Sequence, residues 1–149
     1  MSEGPPDYVA INHDDYHAKH IGHTADGRQF LLTTPFEPAT GGRAGCEYLA
    51  LYTFDEGGGL IDAKIESFGR RDRAKHEDIS ARYESTLASL GAVSFDRIVV
   101  APFKVDRFGT AFGLILREPE EEGDVWAVEM QPGNYMAFFE PWDSGDYDT

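Results

Sequence analysis

Apolar and polar positions alternate through the middle of the chain, and the alternation breaks at short glycine-containing stretches, as it does in strands joined by hairpins. In "EYLALYTF", Tyr48, Ala50, Tyr52 and Phe54 fall on one face and Leu49, Leu51 and Thr53 on the other. Both faces are mostly apolar, which predicts a central strand covered on both sides. After the turn "DEGGG", "LIDAKIESF" points Ile61, Ala63 and Ile65 inward and Asp62, Lys64 and Glu66 outward, so the two segments form a hairpin.

The period then changes. In "RDRAKHEDISARYESTLASLG", Ile79, Tyr83, Leu87 and Leu90 recur at spacings of four, four and three, which predicts an amphipathic helix over about residues 72–91. Asp72 is the expected N-cap and Gly91 the expected stop. Asp78 and Arg82 stand four apart in the favourable order, worth ~0.3 kcal/mol on an exposed face. The apolar stripe is narrow, so the helix should lie on the surface of a sheet. Four more strands follow, "SFDRIVVAPF", "TAFGLILR", "DVWAVEM" and "NYMAFFE", with short links "DRFG" and "QPGN" and a longer acidic loop, "EPEEEGD". Strands joined so tightly are antiparallel. Pro132 and Gly133 suit the fixed and the positive φ of a type II turn. Near the N-terminus, the Asp26-Gly27 turn signal in "TADGRQFLLTT" makes "HAKHIGHT" the partner strand of the segment that follows it. The expected fold is α+β: a single domain built on a twisted antiparallel sheet of seven or eight strands, with one helix on a face. Eight strands also permit barrel-like closure.

Composition agrees with one domain. The chain has 149 residues, 41% hydrophobic and 27% charged, enough to bury roughly two-thirds of its unfolded surface. Residues 1–7 and 143–149 are polar and rich in Gly, Pro, Ser or Asp, and are expected to be loose. "MSEGPPDY" has no basic region followed by an apolar run, so neither a secretory signal nor a membrane span is expected and the predicted location is cytoplasmic. Cys46, the single cysteine, excludes an internal disulfide and any zinc site needing two thiolates; it reads as a small hydrophobe at a strand entrance.

Charge narrows the partners. The net charge of −14 opposes general binding to nucleic acid and to anionic membranes. After Arg117 there is no Lys or Arg, while ten acidic residues follow. Conversely, "GRRDRAK" packs Arg70, Arg71, Arg73 and Lys75 together as a candidate interaction patch. Four cations at a helix N-terminus oppose the helix dipole. The acidic C-terminal third is the expected counterweight, within the chain or from a second copy in a homodimer.

The candidate chemistry is sparse. His13, His17, His20 and His23 crowd the stretch "NHDDYHAKHIGHTADGRQF". On a helix, His13, His17 and His20 would share a face and approach one zinc ion. On the strand that the Asp26-Gly27 turn predicts, His17 and His23 lie on one face, about 20 Å apart at ~3.3 Å per residue, and His20 on the other. A strand therefore scatters them, and the metal site stays the alternative. "TGGRAGC" lacks the Lys-Ser/Thr of a P-loop and precedes a strand, so it reads as a loop. Glu129 and Glu140 interrupt apolar strands and are the acids to check for acid-base roles, although an outward-facing position explains both. No Gly-x-Ser-x-Gly occurs. No constellation supports an enzyme, and none calls for a cofactor.

In "HDDYHAKHIGHTADGRQF" and "QPGNYMAFFEPW" the chain resembles a group of small bacterial proteins often labelled formate hydrogenlyase regulatory protein, over about His13 to Trp142. The resemblance rests on turns and aromatic strands; it implies a non-catalytic regulator of transcription or of complex assembly. The function expected is an acidic, regulatory or immunity-like interaction module with a basic protein partner. The alternatives are metal binding through the histidines and small-ligand binding in an aromatic-lined cavity.

Overall fold

In a computed structural model of the chain, residues 5–15, 18–38, 42, 45–133 and 136–148 are described. The elements in order are β1 Val9–Ile11, β2 His20–Thr24, β3 Gln29–Thr33, β4 Phe36–Glu37, β5 Cys46–Phe54, β6 Leu60–Arg70, α1 His76–Ser89, β7 Val93–Phe95, β8 Ile98–Val100, β9 Phe103–Arg107, β10 Thr110–Arg117, β11 Ala127–Gln131 and β12 Ala137–Phe138. Strand dominates, and the pairing is antiparallel throughout. The α+β class holds, but the single sheet does not. The strands divide into a large sheet, a second sheet β12-β11-β10-β9 and the pair β1-β8, none of them closed into a barrel.

The large sheet runs β6-β5-β3-β2-β7, with β4 continuing β3 along the same edge of β5 after a break at Thr34-Pro35. From β6 at one edge, α1 crosses the sheet to deliver β7 to the far side of β2. This crossing gives β5 the cover on both faces that its composition requires. Leu49 and Leu51, with Phe30 and Leu32, meet Tyr83, Leu87, Leu90 and Val93 on the helix side. Tyr48, Ala50, Tyr52 and Phe54 join the main core, where Phe112, Leu114, Val128, Met130 and Phe138 of the second sheet meet Val9, Ile11, Ile98 and Val100 of the small pair. Each fully buried side chain of this kind contributes about 1.5–3 kcal/mol.

Several expectations need correction. The helix begins at His76 after an N-cap at Lys75 that has no side-chain bond; Asp72 instead receives both Arg70 hydrogen bonds. Gly91, with φ of 75°, does end the helix. Arg82 does not turn to Asp78 but reaches β6, donating to both carboxylate oxygens of Glu66 at 2.8 and 2.9 Å. In the β5-β6 hairpin a register shift at Thr53/Phe54 places Leu60 opposite Phe54, so Leu60 packs inward and Ile61 is 51% exposed. The turn before it needs Gly58: its φ is 93°, and a Cβ there would lie 2.7 Å from the Val99 carbonyl.

The segment "SFDRIVVAPF" is not one strand. It serves three sheets in succession, as β7, β8 and the start of β9. Asp96 and Arg97 leave the ladder to bond His23 and the Asp143 carbonyl, and Pro102 has no N–H to donate. In the C-terminal segment Asp148 and Ala137 exchange backbone bonds, Asn12 N–H donates to the Gly145 carbonyl, and Tyr147 bonds Asp14. The Gln131-Pro132 bond is cis, and Gly133 has the expected positive φ, at 95°. No described helix is long and apolar enough to cross a membrane.

Candidate functional site

The basic cluster at 70–75 disperses. Arg70, ending β6, is paired with Asp72. Arg71 donates to Glu47 at 2.8 Å and lays its guanidinium 4.7 Å from the Phe36 ring centroid. Arg73 and Lys75 are exposed and have no side-chain partner among the described residues. The counter-charges within the chain are therefore Asp72 and Glu47, not the acidic C-terminal third. Glu77 and Asp78 in the first turn of α1 supply the negative charge that its dipole favours.

The strand reading of the histidines holds for those described. His20 and His23 occupy β2 and face opposite ways, His20 toward α1 and His23 toward Asp96. His17 lies outside the described residues. The His13 ring stacks on Phe95 at 6.0 Å, and its Nε2–H donates to the Lys19 carbonyl at 2.8 Å. On another side of Phe95 sits His20, 5.4 Å away edge-on, with Nδ1 hydrogen-bonded to the Tyr83 hydroxyl. Burial first, then Lys19 and His13, push the His20 pKa below 6.5, while burial raises Tyr83 to about 12. Both are neutral near pH 7. Both line an open groove of about 530 Å³, with Lys19, Glu47, His76 and Glu84. Among the described residues, no three His, Cys, Asp or Glu side chains are grouped to hold a metal ion.

Other polar groups are committed to structure. His23 Nδ1 lies 2.5 Å from Asp96 Oδ1, and Ser94 donates to Asp96 Oδ2 at 3.2 Å. Here serine bonds the carboxylate and not the imidazole, so the three do not form a nucleophilic triad. Glu129 accepts from Arg117 at 3.0 Å and from Gln131 at 3.3 Å, and Glu140 is exposed. Cys46 is half-buried at the first residue of β5 and packs on the main core. Tyr48 donates to Glu37 at 3.2 Å, with burial pushing its pKa up to about 12. The inward aromatics pack against one another, Tyr52 on Phe103 at 4.7 Å and Tyr48 on Phe112 at 4.9 Å. Gly42 and Gly45 are the described glycines of "TGGRAGC"; residues 39–41, 43 and 44 lie outside the description.

The acidic C-terminal third is gathered by the second sheet. Arg117 opposite Ala127 closes the β10-β11 ladder, and the loop 118–126 projects beyond that end. Phe138 opposite Val128 brings Phe139 and Glu140 out at the same end, and Asp148 flanks β12 at Ala137. Glu118, Glu120, Glu121, Glu122 and Glu140 are exposed there, and their carboxylates have no partner among the described residues; Asp143, whose carbonyl accepts from Arg97, and Asp146 belong instead to the segment that bonds Asn12. Arg117 is already bonded to Asp124 and Glu129, at 3.1 and 3.0 Å.

Fold and surface define an antiparallel α+β protein with a base-poor run of exposed acids, Glu118 to Glu122 and Glu140, at one end of its second sheet. No protein-family model, curated protein or solved structure matches the chain.

Proposed function

We propose that the chain is a non-catalytic, acidic, cytoplasmic interaction module, regulatory or immunity-like, that binds a basic protein partner. The observation carrying this reading is the end of the second sheet, where Glu118, Glu120, Glu121, Glu122 and Glu140 are exposed without side-chain partners among the described residues and Arg117 is already bonded to Asp124 and Glu129. Such a field raises the encounter rate with a basic surface and repels nucleic acid and acidic membranes. The resemblance to proteins labelled formate hydrogenlyase regulatory protein points to the same kind of role. Capture from a lysate of the source cell tests it: a basic protein retained at low salt and released at moderate salt is expected, and failure to retain any partner at low salt refutes it.

The groove at His20 and Tyr83 favours a second reading, small-ligand binding beside the helix. Mass spectra of the gently desalted protein test this reading, for which an additional bound small molecule is the expected result and ligand-free protein the contrary one.

A further inference from the structure

We infer that the outer face of the second sheet, at its acidic end, is the docking surface for a basic protein segment that inserts an apolar side chain between its lysines or arginines. The inference rests on the interaction-module reading proposed above and gives that reading a location and an anchor.

Alternation separates the two faces of this sheet. Phe112, Leu114, Val128, Met130 and Phe138 enter the core with exposures of 0–1%. The neighbouring positions point the other way, and there Ile115 stands opposite Glu129, which stands opposite Ala137. The described helix lies over the large sheet, and the β1-β8 strands are in the core. Neither of these covers this face, although Ala127, opposite Arg117, is fully buried within it. Phe139 is 36% exposed and Val125 54% exposed; the register puts Phe139 next to half-buried Ala137, which with Ile115 flanks Glu129, and Val125 in the loop two residues before Ala127 at the same end of the sheet. Apolar residues exposed together and rimmed by charge mark interaction surfaces.

Charge selects the occupant. Glu120, Glu121, Glu122 and Glu140 border this area on the loop side, and Asp148 borders it beside Ala137. The cations on the same face are Arg117, neutralised by Glu129 and Asp124, and Lys104, opposite Gly113 toward the other edge. A second copy presenting the same face would bring like charges together, which disfavours self-association there. A basic segment satisfies the rim, and an apolar residue within it covers Phe139 and Val125.

The test uses the full chain and two synthetic peptides of equal charge, one repeating Lys-Leu-Lys and one repeating Lys-Ser-Lys, titrated while amide NMR shifts are followed. The leucine peptide is expected to bind about tenfold more tightly, equivalent to ~1.4 kcal/mol, with shifts concentrated at 115–127 and 137–140. The double variant Val125→Ser/Phe139→Ser keeps the charge and should lose that advantage while still binding the serine peptide; its amide spectrum verifies the fold. Equal affinities for the two peptides, or leucine-peptide shifts clustered elsewhere, overturn the docking site while leaving the charge-based reading standing. Binding of neither peptide at low salt overturns both. Self-association in sedimentation that the double variant abolishes assigns the face to a second copy, which also overturns the proposal.

Discussion

Leu51 and Leu114 are almost equally hidden, at 3% and 0% exposure, yet truncating each to alanine should have different consequences. Leu114 lies in the main core among Phe112, Val128, Met130 and Tyr52, all 0% exposed. Removing its outer carbons leaves an enclosed cavity, and the cost belongs in the upper part of the Leu→Ala range, about 4–5 kcal/mol. Leu51 lies under α1, whose covering residues Tyr83, Leu87 and Leu90 are themselves only half-buried. It also lines an open groove of about 330 Å³ beside Asp62 and Lys64. There the helix can settle and water can enter, so the transfer contribution dominates: three carbons at about 0.8 kcal/mol each, or ~2.4 kcal/mol. Urea unfolding followed by far-UV circular dichroism and by tryptophan fluorescence gives both values from the midpoints, provided the slopes are unchanged. Leu51→Ala as destabilising as Leu114→Ala would refute the argument that the helix side is the compliant layer.

Further predictions concern single contacts. Arg82→Ala should lower stability only slightly, as breaking an exposed, solvent-screened pair does, and a double-mutant cycle should couple Arg82 to Glu66 and not to Asp78. Because His20 has its folded pKa pushed below its unfolded value of 6.5, the folded state resists a proton that the unfolded state accepts. Stability should therefore be complete above 6.5 and fall as pH drops through 6.5 toward the folded pKa; His20→Gln, compared with wild type by denaturation across that window, should show a shallower fall. Gly58→Ala forces a side chain into positive φ and against the Val99 carbonyl, and should cost about 2 kcal/mol or more in thermal or urea unfolding.

What the sequence made legible follows the range of the forces involved. The two-faced apolar character of β5, its hairpin with β6, the α1 stripe and the β2-β3 hairpin are set by patterns within some twenty residues, and all four appear in the structure. The breaks in "SFDRIVVAPF" depend on partners distant in sequence: Asp96 leaves for His23, Arg97 for Asp143, and the "IVV" piece finds β1, whose three residues are too short to display a period. The same holds for the Asp72 cap and the Asp78–Arg82 pair, which lose to Arg70 and Glu66 once the chain is folded. At the candidate surface, the base-free run of acids was visible in the sequence. That it converges with Phe139 and Val125 at one sheet end depends on the β10-β11-β12 register. The Tyr83 partner of His20 was hidden for the same reason, since the two are 63 positions apart.

The central claim is that carboxylates at the end of the second sheet recruit a basic protein. Its most direct test is retention of proteins from a source-cell lysate, at low and moderate salt, by the wild-type chain and by a variant carrying Glu118→Gln, Glu120→Gln, Glu121→Gln and Glu122→Gln. Since exposed charges are screened beyond about 10 Å at 0.1 M salt, a basic protein should be held by the wild type at low salt, released as salt rises, and held weakly or not at all by the variant. Equal retention by both chains, or retention that ignores salt, would contradict the claim.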